Sequence, residues 1–267
     1  MMILLFNISH QQKEGIVSMK YELKVGVAAM GLVVLAGCTV TPVKEVTADK
    51  VGYLTSKFSP QVLSPSVAKK LPASGNIASF GRITIKVETD IEQSDGKKES
   101  LTSEVTFIDG GKGLVQRMSE ISSNGIPFDL LYSLTYKGIY DLRWQAVPLR
   151  GSNSGLAYEV KDISKFDVIP TSAGNEFTVE YTSGTAIQIA NLLASKKTCK
   201  ALRIVGAQEI FTKIQGQAIE FECEQVSNGA IQKRAKTILL QQYGIAIETE
   251  ATYASRKAVS RVVDFVN

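Results

Sequence analysis

Histidine is almost missing from this chain, with one residue, His10, among 267. Beyond that position there is no imidazole to act as a general base, a metal ligand or a switch near neutral pH. Ser-His-Asp, Cys-His and most zinc chemistry are therefore excluded from the body of the chain. Excess charge is scarce as well: 30 lysines and arginines face 26 aspartates and glutamates, too even a balance for a nucleic-acid surface. A single tryptophan and nine tyrosines leave few rings for stacked bases. Proline is rare, and four of the seven prolines fall at 42, 60, 65 and 72, which keeps long regular elements out of that stretch. Long apolar runs are missing except for Val25 to Gly37, about 13 residues, short of the roughly 20 that cross a bilayer as a helix.

That run is informative for what surrounds it. Met19, Lys20 and Lys24 make a short basic head, and Leu35-Ala36-Gly37-Cys38 closes the apolar core with small residues and a cysteine. Basic head, apolar core and small residues in this order are the pattern of an export signal. The stretch from Met19 to Cys38 resembles the signal and lipobox of bacterial lipoproteins. The resemblance implies cleavage before Cys38, a diacylglycerol on its sulfur and an acyl chain on the new amino group. Partnership with a membrane through this lipid follows. Thr39, where an aspartate favours the inner membrane in enteric bacteria, implies sorting to the periplasmic face of the outer membrane. Residues 1–18 then read as a non-native leader, 19–37 as the signal peptide and 38–50 as a lipidated tether. A Pro- and Ser-containing lead-in over 51–78 contributes one or two helical turns, and 79–267 forms one antiparallel β domain. Cys38 to Asn267, about 230 residues, is enough for a core that needs no metal.

With Cys38 acylated, Cys199 and Cys223 are an even pair in an oxidising compartment, where a disulfide is permitted. The bridge is the expectation, and two buried thiols or a redox pair are the alternatives. No catalytic set emerges. Ser66-Val67-Ala68-Lys69 has the SxxK spacing without its SDN and KTG companions, and Gly151-Ser152-Asn153-Ser154-Gly155 has asparagine where a nucleophile elbow needs serine. The glycines at 110, 111 and 113 lack a following GK[ST]. Asp90 to Asp95 lacks the closing glutamate of a calcium loop. No cofactor or metal site is expected, no nucleic-acid partner, and no enzyme activity. Lys233, Arg234, Lys236, Arg256, Lys257 and Arg261 read as a solvated β face or, less simply, as a basic patch.

From residue 79 onward period two dominates. Ile83, Ile85 and Val87 alternate with Thr84, Lys86 and Glu88, and Ile219, Phe221 and Cys223 alternate with Glu220, Glu222 and Glu224, the pattern of half-buried strands. Asp95-Gly96, Asn124-Gly125, Lys137-Gly138 and Asn228-Gly229 supply hairpin turns. Leu202 to Ile214 reads as a strand. Thr185 to Ser195 changes to a helical period, with Ala186, Ile187, Ile189, Ala190, Leu192 and Leu193 on one side. The fold class is therefore mainly β: ten or eleven strands in an antiparallel meander that forms a curved sheet, half-barrel or sandwich, with one amphipathic helix packed on it. This arrangement resembles the LolA and LolB type of envelope lipid-carrier domain. The resemblance implies a hydrophobic-ligand site lined by Ile187, Ile189, Leu192, Leu193, Phe211 and Phe221. The expected function is a lipid-anchored envelope protein with a structural or protein-interaction role, and the alternative is a carrier for a lipid or other hydrophobic ligand. Another envelope protein or a lipid is the expected partner.

Overall fold

The computed structural model of the protein describes residues 40–75 and 77–267; the export-signal stretch and Cys38 lie outside the described residues. Three short helices come first: α1 (Val43–Ala48), α2 (Lys50–Lys57) and α3 (Pro65–Ala68). Twelve strands follow. The first six are β1 (Arg82–Gln93), β2 (Lys98–Gly111), β3 (Leu114–Ser123), β4 (Ile126–Tyr136), β5 (Tyr140–Pro148) and β6 (Tyr158–Phe166). The rest are β7 (Glu176–Thr185), β8 (Leu193–Gly206), β9 (Gln217–Ser227), β10 (Ala230–Leu240), β11 (Ile245–Tyr253) and β12 (Arg256–Val266). Every strand pairs antiparallel with its neighbours in sequence, and β12 returns to β1, so the meander closes into a barrel. The expected curved sheet or half-barrel is thus an under-reading, because the β1 and β12 edges that it left open pair with each other along most of their length.

The wall is not uniform. β5 meets β6 only at Arg143↔Glu159 and Trp144↔Tyr158, and β11 meets β12 only over Glu250–Tyr253. These two narrow seams divide the barrel into two six-stranded halves, β12 with β1 to β5 and β6 to β11. Each seam carries its own fastening: the Trp144 and Tyr158 rings stack at 5.8 Å beside the Arg143–Glu159 ion pair, and Lys257 reaches Glu250 at 3.1 Å.

Hairpin chemistry holds where it was expected. Asn124 and Gly125 both take positive φ, which a two-residue turn of this kind requires. Gly138 is needed for a second reason: a Cβ there would lie 2.3 Å from the Ala246 backbone nitrogen. The β4–β5 turn therefore lies against β11, across the ring from its own strands.

The expected tether is structured. Val43 and Val46 of α1 are buried, and Thr41 to Val43 bonds to residues 152–154 of the β5–β6 loop. The helices cover the outer face of β3 to β5: Phe58 stacks on Tyr132 at 5.6 Å, Tyr53 donates to Gln145 Oε1 at 2.8 Å, and Gln116 donates to the Leu54 carbonyl at 3.2 Å. Lys70 pairs with Asp162 at 2.7 Å, so the segment also bridges the β5–β6 seam.

The helix expected over 185–195 is absent. Thr185 ends β7, residues 186–192 form a loop, and β8 begins at Leu193. Gln188 ties this loop together: its Oε1 accepts from Thr185 N, and its Nε2 donates to the carbonyls of Ala190 and Asn191. Asn191 takes positive φ. Local side-chain bonds of this kind compete with helical ones, and they win here over apolar spacing. Leu202 to Ile214 is likewise corrected: β8 ends at Gly206, and the residues after it make a short 3-10 turn and loop.

Candidate functional site

Alternation along each strand assigns one row of side chains to the outside and one to the inside. Part of the outside row is charged. Glu88, Glu224 and Glu250 pair across strands with Arg261, Arg234 and both Lys236 and Lys257 at 2.5 to 3.6 Å. A membrane-spanning barrel presents an apolar band there; these strands instead carry ion pairs, while outward Tyr132 and Leu134 lie under the helices and outward Ile238, Leu240, Ile245 and Ile247 belong to a buried cluster. Of the six residues read as a solvated β face or a basic patch, Arg234, Lys236, Lys257 and Arg261 enter these pairs, while Lys233 and Arg256 are on the inward register.

The inside row combines apolar residues with small hydroxyls. Thr89, Ser103, Ser119, Ser133, Thr135, Ser183, Ser195, Ser227 and Thr237 are all buried, and all fall on the inward register. Several pair across neighbouring strands, as Ser195 with Ser227 at 2.8 Å and Thr89 with Ser260 at 2.9 Å.

A charged cluster sits among them. Arg117 of β3 donates to Asp141 of β5 at 2.8 Å and to Ser133 Oγ at 3.0 Å. Lys233 of β10 donates to Glu248 of β11 at 2.7 Å, with the two side chains only 11% and 13% exposed. Lys197 of β8 donates to the Ile139 carbonyl in the β4–β5 turn at 2.5 Å. Burial pulls the Lys197 ammonium down to about 8, and the Lys233 charge adds to that pull against Asp141 and Glu248. Burial acts on Lys233 in the same sense, but the Glu248 carboxylate overrides it and holds the ammonium above its usual range. Glu248, raised by burial, is held below the usual carboxylate range by Lys233. Arg117 and Asp141 on β3 and β5 are far around the ring from Lys197, Lys233 and Glu248 on β8, β10 and β11, so their mutual influence places them inside it.

Arg256 lies over the Tyr253 ring at 4.8 Å on the same inward register. The inward groups thus include four cations, Arg117, Lys197, Lys233 and Arg256, against three carboxyls, Asp129, Asp141 and Glu248. Tyr140 stands beside them, its ring 5.1 Å from that of Tyr181. Its hydroxyl is buried and has no hydrogen-bond partner among the described residues.

No protein-family model matches the chain, and no curated protein matches it. Among solved structures, the chain is similar to a beta-barrel-like protein of domain of unknown function DUF1849 from Brucella abortus. The TM-score is 0.39 at 7% identity, over 70% of this chain and 98% of that one.

Of the residues expected from sequence, Cys199 and Cys223 are joined, with both side chains buried. They stand directly opposite each other on β8 and β9. The expected hydrophobic lining does not assemble. Ile187 and Ile189 are exposed in the 186–192 loop, with Leu193 exposed at its end. Leu192 packs near Gly184. Phe221 lies in one buried cluster and Phe211 against another. Without the helix there is no stripe to bring these six together. The inward lysines were missed because Lys196-Lys197 and Lys233-Arg234 put charge on both faces of their strands, so period two cannot say which member points in.

Proposed function

We propose that this is a lipid-anchored, non-enzymatic binding protein of the bacterial envelope that holds an anionic ligand inside its barrel. The carrying observation is the inward cationic cluster of Arg117, Lys197 and Lys233, set among small hydroxyl side chains. An eight-stranded barrel is about filled by its own side chains or holds one small ligand, and interior width grows with strand number. Small serine, threonine and alanine side chains share the inward row of this twelve-stranded ring with Phe107, Phe177, Tyr181 and Phe221. An anion answers the excess positive charge, and the Lys197 amine supplies a donor to it. A purely apolar ligand would leave the buried Tyr140 hydroxyl without a partner, at a cost of about 1 to 3 kcal/mol. The anchor is Cys38, through the lipobox resemblance, and Thr39 directs it to the inner face of the outer membrane.

Native mass spectrometry of the chain from Cys38 onward, purified from its own envelope, tests the reading. An acidic molecule that leaves on denaturation, and that is lost from a Lys197→Met, Lys233→Met double variant, is the expected result. A ligand-free mass, with no binding of anionic detergent or inorganic phosphate, would overturn it.

A further inference from the structure

The antiparallel ring places the turns β1–β2, β3–β4, β5–β6, β7–β8, β9–β10 and β11–β12 at one end, here the rim. Twelve large apolar side chains are substantially exposed among the described residues, and seven of them lie at or near this rim. Ile126 follows the β3–β4 turn, Leu156 is in the β5–β6 loop, Ile187 and Ile189 are in the β7–β8 loop, and Leu193 and Ile231 open β8 and β10. Ile189 is 94% exposed and Ile126 62%. The β4–β5 turn that lies against β11 is at the other end. Single exposed aliphatic residues are ordinary; isoleucines gathered on successive loops of one end are not scattered singly.

The described residues also begin here. Val40, 40% exposed, lies next to Thr41, whose carbonyl accepts from Ser154 N in the β5–β6 loop. Cys38 precedes Val40 by two residues in sequence, a covalent reach of no more than about 7 Å. Two basic side chains, Lys44 of α1 and Arg150 of the β5–β6 loop, are exposed on the same side. By contrast, part of the outer wall below the rim is a ladder of ion pairs. An apolar tip bordered by cations, at the point where the described residues begin, fits the interface of a phospholipid bilayer, which takes aliphatic side chains among its acyl chains and lysine or arginine at its head groups.

We propose that this rim is a membrane-contacting surface, with the β3–β4, β5–β6 and β7–β8 loops seated in the interface of a phospholipid bilayer. The direction of approach rests on the Cys38 anchor; the contact itself does not.

The test uses Ile189→Trp and, at the opposite end, Val168→Trp, each in a Trp144→Phe background that keeps an aromatic ring against Tyr158. The chains carry Cys38→Ser and are added to vesicles of phosphatidylethanolamine and phosphatidylglycerol containing brominated lipid. Quenching and a blue shift for Ile189→Trp, with neither for Val168→Trp, are expected. Ile187→Ser with Ile189→Ser should lower vesicle partitioning roughly tenfold, with an unchanged circular dichroism spectrum. Equal quenching at both positions, or none at position 189, would overturn the proposal. So would a concentration-dependent dimer that the two serines abolish, because the rim would then serve self-association. Fatty-acid labelling of the membrane-bound wild-type chain separates the two readings. Labelling without quenching at 189 rejects the rim and keeps the anchor, and quenching without labelling does the reverse.

Discussion

Breaking the Cys199–Cys223 bond should destabilise the barrel by about 3.5 kcal/mol. The bond closes a loop with a sequence separation of 24, for which the chain-entropy relation gives about 3.5 kcal/mol at 25 °C, strain aside. Two perturbations separate the cross-link from the packing around it. Reduction keeps both sulfurs in place, so its cost is that of the cross-link alone. Cys199→Ala with Cys223→Ala also removes two sulfurs from the buried cluster that holds Phe177 and Phe221, adding about 1 kcal/mol for each small cavity. The assay is urea unfolding of the chain from Cys38 onward, followed by circular dichroism with and without reductant. With a slope near 3 kcal/mol per molar, reduction should move the midpoint down by about 1 M and the alanine pair by nearer 2 M. A reduced protein whose midpoint stays within about 0.2 M of the oxidised one would refute the argument. Alkylation of two free thiols in the native protein would refute its premise.

Three further perturbations have defined outcomes. Gly138→Ala should cost several kcal/mol or prevent folding, because the added carbon meets the Ala246 nitrogen at 2.3 Å and φ is +64°; thermal melting beside a Gly125→Ala control, where nothing lies within 4 Å, checks it. Asp129 is pushed up to about 6 by burial, so the folded state binds its proton more tightly and this group's contribution to stability falls as pH rises from about 4 to about 6. Asp129→Asn should remove that fall and raise stability at pH 7 by about 1 kcal/mol, less than the full shift since the group is only partly buried; a variant with the wild-type pH profile contradicts this. Cys38→Ala should abolish fatty-acid labelling and release the protein from membranes, and continued acylation would sink the lipid anchor.

Much of the wall was legible because part of its outer row faces water. Glu220, Glu222 and Glu224 alternating with Ile219, Phe221 and Cys223 define both the faces of β9 and the inward cysteine, and the cross-strand register confirms them. Asn124-Gly125 and Asn228-Gly229 fall at turns because their backbone demands positive φ. Closure was not legible: the pairing of β1 with β12 joins residues more than 160 positions apart, and no local pattern records it. The helix at 185–195 was misread because Ile187, Ile189 and Leu193 repeat at a spacing that also suits an exposed loop tip. The inward cluster was hidden by bulges. The register shifts between Ile231 and Lys233 and between Lys236 and Thr237, so counting alternate residues along β10 does not settle which lysine enters the barrel.

The two seams give the polar interior a structural consequence. Where strands pair along their whole length, the backbone ladder holds the wall whatever lines it. At β5–β6 and β11–β12 the ladder is short, and side chains must substitute: Trp144 on Tyr158, Arg143 on Glu159, Lys257 on Glu250, and the α2–α3 segment laid over the first seam. The inward pairs cross no seam in the same way. Arg117–Asp141 lies within one half and Lys233–Glu248 within the other, each satisfying its own charges, and Lys197 of the second half reaches over to the Ile139 carbonyl of the first. Lys197 is thus a direct polar tie between the halves through the interior, and its ammonium is the one that burial has weakened most toward neutrality. An anion bound beside it, as proposed, would hold the amine charged and strengthen that tie, which would couple ligand binding to the contact between the two halves through the same side chain.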